Sequence, residues 1–208
     1  MLQIVATLCT FILAMLKYPE TQRKAQAEID TLLQHSRHPD FSDEPHLPYV
    51  AALVKEVCRW RTATPLATPH TLTKDDIYNG LRMPVGAVII GNVHAIAHDA
   101  ALVGPNPDAF VPERYLDGAP AKELDVLFGF GPRICPGRHL ARGMIWLAIA
   151  SILAAFTISP AVDEKGQPVI VDDAYTQFTS GVVAAPLPFK CRIIPRAQVV
   201  ETLGLGEF

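Results

Sequence analysis

The sequence contains no Cys-x-x-Cys pair, no internal repeat and no low-complexity tract. Its four cysteines, Cys9, Cys58, Cys135 and Cys191, are widely scattered, and two of them sit inside apolar helical patterns. That spacing argues against a dithiol redox site and a disulfide framework, and a paired zinc site lacks its second half. It reads as reduced thiols in a cytosol-facing protein. Positive charge is not in surplus either: the formal net charge is −3 over 208 residues. No basic surface for nucleic acid is therefore expected. Nor is there an apolar run of the ~20 residues that a membrane span needs. Residues 1–16 carry no charge but stop short of that length. The first basic residue, Lys17, follows this run, whereas a signal peptide places basic residues ahead of it. The run is expected to be a buried core helix, apolar all round.

Half of the residues are hydrophobic, enough for a sizeable core in one or two domains. Pro19 stops the first helix near Tyr18 and suits the first turn of the next, where Glu20 meets the helix dipole. The second helix carries Ala25, Ile29, Leu32 and Leu33 on one face and charges elsewhere, so it lies on the surface. A polar loop, 35–48, follows, and its histidines read as solvated. The pattern predicts helices around Leu2–Leu16, Glu20–Leu33, Pro48–Arg61 and Gly137–Phe156. Between the last two, and after Phe156, short extended pieces are punctuated by proline and glycine, with Asn79-Gly80 as a turn. Phe178–Val183 and Pro188–Ile194 read as the two arms of a last hairpin. The fold class is mainly α with a small antiparallel β part (α+β).

The most informative stretch is Phe128-Gly-Phe-Gly-Pro-Arg-Ile-Cys-Pro-Gly137. Glycines and prolines on either side of one cysteine describe a backbone bent to hold a single sulfur. The helix that follows points its N-terminus back at that sulfur. Its free N–H groups and partial positive charge favour a thiolate over a thiol, and Arg133 adds a cation two residues upstream. A thiolate held in this way serves as a redox cysteine, a nucleophile or a metal ligand. Separately, Glu56 and Arg59 stand three apart on an otherwise apolar helix and share a face.

Phe128, Gly131, Arg133, Cys135 and Gly137 form the pattern F-x-x-G-x-R-x-C-x-G, which resembles the cysteine loop of the cytochrome P-450 family. The resemblance runs over about 5–196 and includes the E-x-x-R pair Glu56/Arg59 and the segment Pro112-Glu-Arg-Tyr115. Pro69-His70 and the stretch 186–191 look most like fungal members. The resemblance implies haem b with Cys135 as the axial iron ligand and His70 beside a propionate. It implies a structural network of Glu56, Arg59 and Arg114 that holds the cysteine loop. Thr179, Ser180, Gly181, Val182 and Val183 are the implied substrate contacts, at the tip of the last hairpin. The chemistry implied is insertion of one oxygen atom from O2 into a small apolar organic substrate. An electron-donating reductase would dock near the cysteine loop. Full-length relatives are often anchored to the endoplasmic reticulum, and this chain shows no anchor.

The chain departs from the family in two places. His94 stands where an aromatic residue is frequent. The family's oxygen-handling pair, an acidic residue followed by threonine, should fall just before Val5, where Met1-Leu-Gln-Ile4 is found. The expectation is therefore a single, incomplete haem domain over 1–208, corresponding to the C-terminal portion of the fold and inactive as a monooxygenase by itself. The competing expectation is a non-catalytic fragment or scaffold, with or without haem. A nucleophilic Cys135 would look to His139, one helical turn on, as its base.

Overall fold

The computed structural model describes residues 2–116, 125–169 and 178–197, so most of the tail beyond Pro195 lies outside them. Helix α1 (Leu2–Lys17) stops just before Pro19, which opens α2 (Pro19–Leu33) at its first position. Proline loses nothing there, because a first-turn N–H has no helical partner anyway. The two helices meet at a bend of 106°. Helix α3 (Pro48–Trp60) uses the same device, but its cap position, Leu47, has no side-chain acceptor. Glu28 of α2 supplies one instead, accepting the N–H groups of Tyr49 at 2.8 Å and Val50 at 2.9 Å. That carboxylate both caps α3, a contribution of about 1 kcal/mol, and sets the spacing of the two helices.

Small elements follow. Strand β1 (His70–Thr71) pairs antiparallel with β4 (Val88–Ile89), placing His70 opposite Ile89. Between them β2 (Asp76–Tyr78) and β3 (Leu81–Met83) form a hairpin. Its turn residues, Asn79 and Gly80, both have positive φ, 48° and 79°. This twist suits a two-residue connection, and few other residues tolerate it. Helices α4 (Val93–Ala97) and α5 (Ala100–Val103) lead to a 3-10 turn at Pro112–Tyr115. After the cysteine loop comes α6 (Arg138–Ala155), which runs directly into β5 (Phe156–Pro160).

The core lies where α1, α2, α3 and α6 meet, around Phe11, Met15, Ile29, Leu53, Trp146 and Leu153. Each such side chain contributes roughly 1.5–3 kcal/mol by leaving water. Tyr18, Trp60 and Phe110 form a connected aromatic group with ring centroids 5.0–5.8 Å apart. Helix α1 is not buried all round. Leu2 and Val5 are 65% and 52% exposed, whereas Ile4 between them packs against the core.

The last hairpin differs from the one expected. β6 (Cys191–Pro195) pairs with β5, in register Ile158 to Ile193, and not with Phe178–Val183. The 178–186 segment closes on itself: Thr179 N–H donates to Ala185 O at 2.8 Å, and Phe178 bridges Pro186. Pro186 and Pro188 have no N–H with which to extend that ladder. β5, in contrast, is held ready by α2. Gln22 donates to Ile158 O at 2.9 Å and accepts from Ile158 N–H at 2.8 Å, imitating a strand neighbour. Gln26 donates to Phe156 O at 2.9 Å.

Candidate functional site

The 128–137 loop is built from local hydrogen bonds. Cys135 N–H donates to Phe128 O at 2.8 Å, closing the loop, and Ile134 N–H donates to Gly131 O at 3.1 Å. Gly129 and Gly131 have φ of +99° and +52°, where a side chain would strain the backbone. Cys135 is exposed on one side of the loop, immediately before α6. A cavity of about 440 Å³ opens beside it.

Phe128, Arg133, Cys135, Gly137 and His70 all line this cavity. Gly131 does not; its part in the loop is conformational. The facing wall comes from the first turns of α1, through Gln3, Ile4 and Thr7. The Thr7 hydroxyl donates back to Gln3 O at 2.9 Å. On α6, Leu140 and Met144 line the cavity and are 70% and 45% exposed. Those two exposures are the signal that an alternation count along α6 would have missed. An apolar face left out of the core marks a binding surface.

Cys58 also lines the cavity, which its place in an apolar helix pattern did not suggest. Burial pushes its thiol up to about 12, so it stays protonated at neutral pH and makes a poor ligand. His139 is exposed, and among the described residues no hydrogen bond joins it to Cys135. Among the described residues, His139 is thus not placed as a general base for Cys135.

Glu56 and Arg59 are 0% exposed and Arg114 is 6% exposed. Arg59 grips the Glu56 carboxylate with two bonds, at 2.6 and 2.8 Å, and Arg114 adds a third at 3.1 Å. Val111 N–H supplies a fourth at 2.7 Å. The remaining guanidinium donors go to backbone carbonyls of Ala97, Val103, Pro105, Asn106, Pro107 and Ala109. None of these bonds reaches 128–137. The link is indirect: Ala97 and Val103, whose carbonyls are held, form the apolar seat for Val126 and Leu127, which lead into the loop.

Thr179–Val183 stand away from the cavity lining. Their turn is tied to its rim, where Ala184 N–H donates to Ala63 O at 2.9 Å and Ala63 lines the cavity. Gly91 lies so close to the Phe130 ring of the loop that an added Cβ would come within 2.5 Å of it. Sequence inspection offers no hint of that contact, since 39 residues separate the pair (130 minus 91). No helix among the described residues is long and apolar enough to cross a membrane by itself.

Cytochrome P450 monooxygenase 105 of Postia placenta is 47% identical over 196 residues, covering 93% of this chain and 37% of that protein. Cytochrome P450 monooxygenase claR of Ampulloclitocybe clavipes is 45% identical, over 96% of this chain and 37% of its own length. The chain thus spans well under half of these curated relatives. A zebra fish cytochrome P450, in a structure with abiraterone, superposes with a TM-score of 0.78 at 32% identity, over 92% of this chain and 43% of that one. The family model described as Cytochrome P450 matches residues 4–189. With a match over that span, and the cysteine loop set against α1 and α6 across one cavity, the chain belongs to the cytochrome P450 family.

Proposed function

We propose that residues 1–208 act as one haem-binding unit, with the Cys135 sulfur as the sole protein ligand to the iron of haem b. The observation that carries this reading is the convergence of Cys135, Arg133, His70 and Phe128 on one cavity. The donor set fits the group. Ile4, Val93, Leu140 and Met144 offer apolar walls to a macrocycle, and Arg133 and His70 offer donors to its two carboxylates. Bound there, haem would supply the activation of O2, and a thiolate sulfur from Cys135 would favour it.

The chain's own residues hold and shield. The Glu56–Arg59–Arg114 network fixes the seat of the cysteine loop without touching the reacting atoms. Thr179–Val183, anchored at the rim, contact a small apolar organic substrate. Arg138 donates to Cys135 O at 3.4 Å and His139 beside it is exposed, and here an electron-donating reductase would dock on a cytosol-facing surface. The reaction class is insertion of one oxygen atom into that substrate. Leu2 and Gln3 stand at the start of α1 where the resemblance places the family's acidic residue and threonine, and neither side chain relays protons. For that reason the 208 residues alone are expected to take up haem without coupled product formation, as a non-catalytic scaffold would.

The test is the difference spectrum of the reduced, haem-loaded chain with carbon monoxide. A thiolate-type band is expected in the parent and in Cys58→Ser, and its loss in Cys135→Ser. A histidine-type band in the parent would overturn the ligand assignment. Coupled product from the 208-residue chain with a suitable reductase would overturn the expectation of inactivity.

A further inference from the structure

Position 91 is glycine for want of space, not of backbone freedom. It is absent from the positive-φ positions, and a Cβ built on it would come within 2.5 and 2.9 Å of Cε2 and Cζ of Phe130. Carbon contacts that short do not survive, so the two residues are matched: a ring reaching this far needs a neighbour without a side chain. The Ala67 methyl closes the same spot, 3.6 Å from the built Cβ. Phe130 stands between Gly129 and Gly131, with φ of +99° and +52°, so the loop is bent on both sides of it.

Each partner in this contact is tied to one of the two basic residues that line the cavity, Arg133 and His70. On the loop side, Arg133 N–H donates to Phe130 O at 3.3 Å, across the 3-10 turn Gly131–Arg133. On the other side, Gly91 lies two residues past Ile89, the strand partner of His70. His94 N–H also donates to Pro65 O at 2.9 Å, which ties the start of α4 to the segment leading into β1. The ring on Gly91 therefore joins the limb that carries Arg133 to the limb that carries His70. Val126 and Leu127, packed with Ala97, support the loop at its entrance. Two points of support fix a tilt, where one leaves a hinge.

We propose that the contact of Phe130 with Gly91 sets the span between Arg133 and His70, and so matches that pair to the two carboxylates of haem, a role that rests on the haem-binding reading. Gly91 and Phe130 are positioning residues here, acting through Arg133 and His70. A charge-assisted hydrogen bond is sensitive to length and angle, so a small displacement of the loop loses a carboxylate contact. Apolar contacts to the macrocycle are non-directional and tolerate the same displacement.

Haem and its dimethyl ester are the probes, since the ester keeps the macrocycle and lacks the two charges. Both are titrated into the 208-residue chain and followed by absorbance. The parent is expected to bind haem about tenfold more tightly than the ester, the ratio for one charge-assisted hydrogen bond, and to show the thiolate-type band with carbon monoxide. Gly91→Ala should weaken haem by about tenfold and the ester by less than about threefold. The melting temperature of the haem-free variant should be unchanged, because the clash falls on the far edge of a ring that is 42% exposed. Phe130→Leu withdraws that edge and should also weaken haem selectively. The double variant should regain most of the parent's preference, because the new methyl fills the space the ring edge leaves, a non-additivity that only a direct contact gives. Should Gly91→Ala fail to fold, Phe130→Leu and the double variant decide. A parent that takes up no haem, or shows no thiolate-type band, overturns the haem-binding reading and this one with it. With that band present, a parent that binds haem no better than the ester overturns the positioning role alone. So does an unchanged preference in the single variants, an equal loss of haem and ester, or additive losses in the double variant.

Discussion

Replacement of Arg59 by alanine is the most severe single change the structure offers. The guanidinium makes two bonds to Glu56 and three to the carbonyls of Ala97, Pro107 and Ala109, all within a residue that is 0% exposed. Truncation leaves the Glu56 carboxylate with Arg114 and the Val111 N–H only, and leaves those carbonyls short of a donor. Breaking a buried ion pair from one side costs about 3–5 kcal/mol. For a chain of this size each kcal/mol lowers the melting temperature by roughly 2–4 °C, so a fall of about 6–20 °C is expected. Arg59→Lys should recover part of this, since it restores the charge but not the planar fork. Thermal and urea unfolding of the parent and both variants, with soluble yield and haem content measured in parallel, checks it. On the proposed reading stability and haem content should fall together, since Arg59 holds the carbonyl of Ala97, against which Val126 and Leu127 pack. An Arg59→Ala protein with unchanged melting temperature and haem content would refute the structural role.

Other consequences are smaller. Gln22→Ala removes a reciprocal pair of hydrogen bonds to Ile158 and should cost about 1–3 kcal/mol in urea unfolding, where Gln22→Glu should cost at least as much. Arg37, bonded at 2.6 and 2.7 Å, holds the buried Asp43 carboxyl below its usual range. Its stabilising effect is thus present above about pH 4 and lost as pH falls further, so Asp43→Asn should flatten the acid limb of a stability–pH profile. The His94 and His98 rings lie 4.1 Å apart, and burial lowers both below the usual histidine value. The neutral rings favour folding above about pH 6.5, and stability should drop as pH falls from there; His94→Phe should reduce that drop, and an unchanged profile would count against burial as its cause.

Some of this molecule is written locally and some is not. Pro19 and Pro48 start helices at their first positions because proline's ring fixes φ and its missing N–H is not needed there, a property of one residue and its neighbours. Asn79-Gly80 and the 128–137 loop are local in the same sense: positive φ at Gly129 and Gly131 and the closing Cys135–Phe128 bond span only a few residues. The E-x-x-R spacing put Glu56 and Arg59 on one face, and Arg114 joined them through a resemblance to a known motif. Tertiary structure alone decided which strand β6 would pair with, because that choice depends on which edge the core leaves open. Gln22 and Gln26 present β5 to it from 130 or so residues away. It alone placed Cys58 on the wall of the cavity, tied the 178–186 turn to the rim without lining it, and set Gly91 under Phe130. A side chain's chemistry can be read from the sequence, but its neighbours across the core are fixed only when the helices pack.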